Sequence, residues 1–229
     1  MYKDKLVYVG FPILNQYELL PSVLQSLSKG TVVPDKLIIV NNGLNEYQIQ
    51  KALLLDNYSF ETKVLQPEKN IGVAKAWNLI IKESKDERLI MNDDILLEKD
   101  TLQVLLDTEG EVVCCEKPSG LNAFACFLIR DSAIEKVGYF DEEISPNYAY
   151  YEDNDYKRRM DLLGLSVKRA KCSAEHFMGG SRTMNTFSPS RLQAHHMRFN
   201  LATENYIKKW GGLPDNELFT VPYNRKDSE

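Results

Sequence analysis

Hydrophobic positions in the first hundred residues alternate between short apolar runs and helically spaced stripes. Continuous apolar runs of this length are typical of buried strands, and stripes that repeat every three or four residues are typical of one helix face. The predicted strands are residues 6–11, 36–40, 62–65 and 88–91, and the predicted helices are residues 17–27, 47–55 and 72–83. Strands that alternate with helices in this rhythm predict an α/β fold with an open, largely parallel sheet.

The second half of the chain has a less regular pattern. Strands are predicted at residues 111–115, 123–129 and 165–169, and helices at residues 131–137, 152–163 and 190–210. The last helix carries an apolar stripe made of Phe199, Ala202, Tyr206 and Trp210. No change in composition marks a linker. We therefore expect one domain over residues 1–223, with a nucleotide-binding half to about residue 100, an acceptor half after it and a polar tail at 224–229.

Composition and charge narrow the classes of function. The 229 residues are 43% hydrophobic and 27% charged, which is close to the average soluble globular domain. The net charge of −5 argues against a dedicated nucleic-acid-binding protein, which normally shows a basic surface. No apolar run approaches the length of a membrane span, and no signal peptide is apparent, so we expect a cytoplasmic protein. The four cysteines form no C-x-x-C pair, and their apolar neighbours predict buried thiols.

Polar clusters follow three of the predicted strands. They are Asn15 after the first strand, Asn41 and Asn42 after the second, and Asn92, Asp93 and Asp94 after the fourth. Ligands of open α/β sheets bind beyond the carboxyl ends of the strands, so we expect these clusters at one edge. The adjacent carboxylates of Asp93 and Asp94 repel each other, which a divalent cation with phosphate ligands would offset. A solvated turn, where Asp and Asn are common, is the alternative interpretation.

Three further features of the sequence are candidates for chemistry or ligand binding. Glu152 and Asp153 open a helix, whose positive end would keep a carboxylate ionised and able to accept a proton, although acidic residues favour any first helical turn. His176 precedes a Gly-Gly pair and could complete a metal site with Asp94, or could be an ordinary core histidine. The third feature is Gly72 in the loop after Asn70, which permits close approach of a ligand or of the helix to the sheet.

Two other histidines and three tyrosines have weaker claims. His195 and His196 lie inside the long helix, where we expect them at the surface. Tyr148, Tyr150 and Tyr151 could stack on sugar rings or simply pack near the helix start.

Several motifs occur in a characteristic order between about residues 5 and 215. They are Phe11–Asn15, Asn41–Gly43, Asn70–Asn78, Asn92–Asp94, Val137–Glu142, Tyr151–Asp155 with Arg159 and Gly164, His176, and Lys209–Pro214. In this order the chain resembles the family 2 glycosyltransferases of the GT-A fold. The resemblance implies a Rossmann-like, mostly parallel central sheet flanked by helices, with an acceptor-side second half. The chain departs from the common pattern of the family at Asn41, Asn92 and Trp77, where many relatives have Asp, Asp and Arg respectively.

The resemblance implies an inverting, metal-dependent enzyme of hexosyltransferase type, with a role such as polysaccharide biosynthesis. Asp94 would hold Mn²⁺ or Mg²⁺ against the donor diphosphate, with His176 as a further ligand. Asp153 would be the general base, with Glu152 beside it. Donor contacts would come from Phe11, Pro12, Asn15, Asn41, Asn42, Asn70, Asn92 and Asp93. These assignments require Asp93, Asp153 and His176 to converge on one cavity.

The implied donor is a UDP-, dTDP- or GDP-sugar, and the implied acceptor is a hydroxyl group of a glycan, a lipid-linked molecule or a polysaccharide. Contact with a membrane surface is compatible with these acceptors. Two alternatives stay open. A sugar-1-phosphate nucleotidyltransferase would normally carry a glycine-rich basic loop near its N-terminus, which Val9–Pro12 is not. A non-catalytic module that binds nucleotide sugars or glycans is the other.

Overall fold

The computed structural model describes residues 1–117, 123–177 and 187–225. The strands are β1 Val7–Ile13, β2 Lys36–Asn41, β3 Glu61–Leu65, β4 Glu87–Met91, β5 Ile95–Leu97, β6 Val112–Lys117, β7 Cys126–Arg130 and β8 Lys168–His176. The helices are α1 Leu20–Ser28, α2 Glu46–Leu53, α3 Val73–Lys82, α4 Thr101–Asp107, α5 Asp131–Val137, α6 Glu152–Leu162 and α7 Pro189–Trp210. The alternation predicted for the first half is therefore confirmed element by element.

One eight-stranded sheet runs through the molecule in the order β3-β2-β1-β4-β7-β6-β8-β5. β3, β2, β1 and β4 are parallel neighbours, as the sequence predicts. β7 is antiparallel to both β4 and β6, β8 is parallel to β6, and β5 is antiparallel to β8. The fold is thus α/β with a mixed sheet in which β3, β2, β1 and β4 form a parallel half, which confirms the expected class.

The core lies on both faces of the sheet because successive side chains of a strand point to opposite sides. Val7, Val9 and Phe11 of β1 enter the cluster that packs α1, α2 and α4 on one face. Tyr8 enters the other cluster, which includes α3 and α6. On that face Gly10 lets α3 approach closely, since a Cβ there would lie 2.4 Å from Ile80 Cγ2. The two layers fix the carboxyl ends of β1, β2 and β4 at one edge.

Two strands differ from the prediction. β8 runs to His176 and begins at Lys168, so the strand predicted at residues 165–169 is misplaced. The reason is that β8 buries small residues, such as Ala170 and Ala174, between exposed charged ones, which gives a weak hydrophobic signal. β5 has only three residues, too few for a period to be recognised. Both strands matter for the site because they pair with each other.

Other expectations from the sequence can be compared directly. The four cysteines are free and buried, as predicted. Trp77, which stands where many relatives have Arg, packs edge-on against Phe127 and Phe140 in the core. Among the described helices, none combines the length and hydrophobicity that a bilayer span requires. The tail residues 226–229 and residues 178–186, which include the predicted Gly-Gly turn, lie outside the described residues.

Candidate active site

A cavity of about 450 Å³ opens at the carboxyl ends of β1, β2 and β4. One wall, which we call the strand-end wall, consists of Pro12, Leu14, Asn42, Asn70, Gly72, Val73, Asn92, Asp93 and Asp94. The other, which we call the helix wall, consists of Tyr148, Ala149, Tyr150, Phe187, Arg191, Ala194, His195 and Arg198. The position agrees with the rule that α/β sheets bind ligands at this edge.

An acidic corner of the strand-end wall is brought together by the β5–β8 pair. Asp94 immediately precedes β5, and His176 ends β8 opposite Ile95 in the antiparallel register. The backbone N–H of Phe177 donates a hydrogen bond to the Asp94 carbonyl oxygen at 2.9 Å. As a result His176 Nε2 lies 3.1 Å from Asp94 Oδ1, although 82 positions separate the two residues.

This corner has the donor set that suits a divalent cation. His176 Nε2 is buried and makes no hydrogen bond within the described residues, even though it lies close to Asp94. Burial and the neighbouring Asp94 charge raise the pKa of Asp93 to about 7. The described residues contain no group of three or more His, Cys, Asp and Glu side chains arranged to hold a metal. A cation here would take two protein ligands and complete its shell with water and phosphate oxygens, as Mg²⁺ commonly does.

The loop after β3 is shaped by two of the predicted donor residues. Asn42 donates from Nδ2 to the Gly72 carbonyl oxygen at 3.2 Å and accepts from the Ile71 N–H at 3.3 Å. Asn70 Oδ1 accepts from the Gly72 N–H at 2.9 Å. Both residues line the cavity, as do Pro12 and Asn92. Their amides hold the loop that forms part of the strand-end wall.

Three other predicted donor residues do not line the cavity. Phe11 is fully buried in the core because it points to the α1 face of β1. Asn41 is also fully buried; its Oδ1 accepts from the Tyr17 hydroxyl at 2.6 Å, and its Nδ2 donates to Gln66 Oε1 at 2.6 Å. Asn15 is half-buried in the segment after β1. In this structure Phe11 is a core residue, and Asn41 is a buried bridge whose amide oxygen already has a donor.

Asp153 lies beside this cavity and lines a neighbouring one. The second cavity is lined by Tyr150, Tyr151, Asp153, Asn154, Phe199, Leu213, Pro214 and Asn216. Asp153 is half-buried, and its Oδ1 accepts from the Asn154 N–H at 2.8 Å. Tyr150 is common to both linings. The expected convergence on a single cavity is therefore corrected. Asp93 and Asp153 line two cavities that share Tyr150, and His176, which lies beside Asp94, lines neither of them.

Glu152 differs from its neighbour in exposure and charge. It is only 5% exposed, and its Oε2 has no hydrogen-bond partner among the described residues. Burial, reinforced by the charge of Asp153, raises the pKa of Glu152 to about 8. Glu152 is consequently neutral at pH 7, which makes it a poor proton acceptor there. Of the two acids at the start of α6, Asp153 is the half-buried one that lines a cavity.

The helix wall contains residues that sequence reasoning missed. Arg191, His195 and Arg198 follow one another at i, i+4 and i+7 on α7, which is the spacing of one helix face. His195, expected at the surface, is only 7% exposed, and its Nδ1 lies 2.7 Å from the Tyr148 hydroxyl. The correction arises because His195 packs against Tyr148 and Tyr150 at the cavity, although its neighbours on this face are exposed. His196 is exposed as expected. The regular spacing of Arg191, His195 and Arg198 is the sequence feature that could have indicated this wall.

The two walls are joined at a close backbone contact. The Val73 N–H donates to the Tyr148 carbonyl oxygen at 2.6 Å. Gly72 has a φ of +81°, and a Cβ there would lie 2.5 Å from Tyr148 N. Only glycine satisfies both the conformation and the spacing.

Comparison with known proteins links the first half of the chain to one family. Residues 8–115 match the model of the family described as Glycosyl transferase family 2. The matched segment contains the whole strand-end wall of the cavity. A comparison with curated protein sequences gives no match.

Solved structures show that this chain has the GT-A fold. The mannosyltransferase PcManGT from Pyrobaculum calidifontis, solved with GDP-Man and Mn²⁺, is 12% identical, with a TM-score of 0.59 over 91% of this chain and 76% of that chain. TarS 1–349 from S. aureus is 15% identical, with a TM-score of 0.59 over 86% and 71% of the two chains. The same protein solved with UDP-GlcNAc is 17% identical, with a TM-score of 0.56 over 94% and 68%. The likeness extends beyond residue 115 and includes the second half.

Proposed function

We propose that this glycosyltransferase moves a hexose from a nucleotide-diphosphate sugar to a hydroxyl acceptor, with inversion at the anomeric carbon and with help from a divalent cation. The observation that carries the proposal is the β5–β8 pair, which places the buried His176 nitrogen 3.1 Å from Asp94, an acid of the strand-end wall. Support comes from relatives of the same fold that were solved with GDP-Man and Mn²⁺ and with UDP-GlcNAc.

Each wall has a distinct task in this proposal. Asp94 and His176 would hold Mn²⁺ or Mg²⁺, and charge on the departing diphosphate would be neutralised there by the bound cation. Asn42 and Asn70 hold the loop against which the donor lies. The donor is a UDP-, dTDP- or GDP-sugar, and the acceptor is a hydroxyl of a glycan, a lipid-linked molecule or a polysaccharide.

The acceptor hydroxyl is placed in the second cavity beside Asp153. Asp153 takes the proton of that hydroxyl while its oxygen forms a bond to the anomeric carbon. The bond from that carbon to the diphosphate oxygen breaks at the same time, and the nucleoside diphosphate leaves with the electron pair. Tyr150, which is common to both cavities, stands where donor and acceptor would meet. The proposed location is the cytoplasm, because free buried cysteines are typical of a reducing compartment.

Incubation with UDP-, GDP- and dTDP-sugars in the presence of Mn²⁺ tests the proposal. We expect slow release of the nucleoside diphosphate from one donor class, measured by chromatography. Asp94→Ala should remove the part of donor binding that EDTA also removes. Glu98→Ala, which changes an exposed acid before α4, is the matched control. Donor affinity that is the same with and without EDTA would reject the cation. Release of pyrophosphate from a nucleoside triphosphate and a sugar phosphate would indicate a nucleotidyltransferase instead.

A further inference from the structure

Two arginines of the helix wall have no partner of opposite charge among the residues that the structure describes. Arg191 and Arg198 both line the cavity and are both exposed to solvent. Within residues 1–117, 123–177 and 187–225, neither guanidinium forms an ion pair or donates a hydrogen bond to a protein group. Two arginines of α6 do have such partners: Arg159 pairs with Asp155, and Arg158 donates to the Phe219 carbonyl oxygen.

Each of the two guanidinium groups lies over an aromatic ring. Arg191 Cζ lies 4.3 Å from the centroid of Phe187, and Arg198 Cζ lies 4.8 Å from the centroid of Tyr148. Stacking of this kind uses the face of the guanidinium and leaves its N–H groups, which lie in the plane, available to a ligand. The stacked arrangement also restricts the side chains, so that less freedom is lost when a ligand binds. The two arginines are therefore oriented without being neutralised.

The surroundings favour a ligand with negatively charged oxygen atoms. Two arginines at i and i+7 on one helix face present paired forks to the same cavity, and a fork of N–H donors matches phosphate geometry. His195 lies between them on this face, and its burial lowers its pKa, so that the positive charge at neutral pH comes from the arginines alone. Asp93 and Asp94 lie in the strand-end wall of the same cavity, where a cation would offset their charge.

We propose that Arg191 and Arg198 form a phosphate-binding site on α7, distinct from the Asp94 and His176 corner. Its ligand is a phosphate group, either the diphosphate of the donor or a phosphate carried by the acceptor. The assignment of the ligand rests on the proposed function, whereas the presence of an anion site rests on the two unpaired arginines.

Calorimetric titrations in EDTA at low salt test this site, because the cation no longer contributes to binding. UDP and GDP are compared with uridine and guanosine, and sn-glycerol 3-phosphate is titrated alone and with the nucleoside diphosphate present. We expect Arg191→Gln and Arg198→Gln each to lower the affinity for the phosphate-bearing probes about tenfold, which corresponds to the loss of a charged hydrogen bond. The affinity for the nucleosides should not change. Arg198→Lys keeps the charge but loses the fork, and should lose only part of the affinity.

Lys208→Gln is the matched control, because Lys208 is an exposed cation on α7 outside the cavity. Weaker binding of UDP or GDP assigns the site to the donor diphosphate. Weaker binding of glycerol 3-phosphate, with unchanged nucleoside diphosphate binding, assigns it to an acceptor phosphate. Affinities equal to those of the Lys208→Gln protein, or no binding of any phosphate probe by the wild type, overturn the site. Release of nucleoside diphosphate from a nucleotide sugar with Mn²⁺ would still stand in that case, so failure of this inference is distinct from failure of the proposed function.

Discussion

The strand-end wall projects from the ends of buried parallel strands, whereas the helix wall depends on one loop and on α7. The loop before α6 contains three non-glycine residues with positive φ, namely Asn147 at 58°, Tyr150 at 94° and Tyr151 at 68°. Such conformations cost on the order of 1–3 kcal/mol each and persist only where neighbouring contacts hold them. The strand-end wall has no comparable cost, because strand pairing and burial fix its backbone. The geometry of the helix wall should therefore be sensitive to distant substitutions.

A buried polar network supports the helix wall. Asp155 of α6 is fully buried and accepts from Trp210 Nε1 at 2.9 Å and from Arg159 Nε at 2.9 Å. Lys209 Nζ lies 2.5 Å from Asp155 Oδ1 and 2.6 Å from Asp141 Oδ2. The network ties the start of α6 to the end of α7. Asn78 joins α3 to the segment before α6. Its side-chain amide donates to the Phe140 carbonyl oxygen and accepts from the Phe140 N–H, both at 2.9 Å.

The largest effect should come from Asp153→Asn, which removes the proposed base from the second-half side of the site. General-base catalysis contributes about 10²–10⁴-fold, so we expect kcat to fall by about that factor. Donor affinity should not change, because Asp153 lies outside the donor cavity. Steady-state kinetics together with donor titration measure the two quantities. If the Asp153→Asn variant turns over as fast as the wild type, another group is the base.

Asp155→Asn should show how strongly the helix wall depends on its buried network. Removing one partner of a buried ion pair costs about 3–5 kcal/mol, since Arg159 then lacks its counter-charge and Lys209 keeps only Asp141. Asp161→Asn is the matched control on the same helix, because Asp161 forms an exposed pair with Lys157 at 2.8 Å and should cost less than about 1 kcal/mol. Urea unfolding measures both free energies. Equal losses for the two proteins would mean that the network does not support the wall.

Gly72→Ala tests the backbone contact between the walls. Gly164→Ala is its control: Gly164 has a φ of +69° with no atom near its missing Cβ, so alanine costs only the strain of the conformation, about 1–2 kcal/mol. At Gly72 the same strain adds to a clash with Tyr148, worth about 1–3 kcal/mol more. We also expect weaker donor binding for Gly72→Ala alone. Identical stabilities and affinities for both proteins would show that the contact contributes nothing.

The contrast between the walls also explains what the sequence could predict. The strands β1, β2 and β4 are buried on both sides, and continuous apolar runs such as Leu37–Val40 show this directly. The polar residues at their ends, including Asp93 and Asp94, follow from the topology of the sheet. The pairing of β5 with β8 does not, because a three-residue strand has no period and the pair spans about eighty residues. The sequence suggests that His176 and Asp94 share a site, with an ordinary core histidine as the alternative, and the structural cause of their proximity is visible only in the fold.

The helix wall was predictable in part. The stripe of Ala202, Tyr206 and Trp210 on α7 is buried as predicted, whereas Phe199 at its start is 37% exposed. The second stripe, Arg191, His195 and Arg198, has equally regular spacing, but a polar stripe on a helix usually faces solvent. Which residues cover a cavity depends on how α7 lies against the loop at Tyr148, and no local pattern encodes that.

Glu152→Gln should have the smallest effect on transfer and sharpens the contrast with Asp153. Because the pKa of Glu152 is about 8, its side chain is neutral at pH 7, and glutamine is a close neutral mimic. We expect kcat at pH 7 to change by less than about threefold.

The effect of Glu152 on stability depends on pH and has a definite sign. Because its pKa is higher in the folded protein than the value near 4.5 in the unfolded chain, the wild type loses stability as the pH rises from about 4.5 to about 8, by up to ~1.4 kcal/mol per pH unit. Thermal unfolding across pH 4 to 9 should therefore show Glu152→Gln gaining on the wild type through that window and levelling off above it. If the stability difference between Glu152→Gln and the wild type does not vary with pH, Glu152 is ionised in the folded protein. Glu152 would then be a second candidate base beside Asp153.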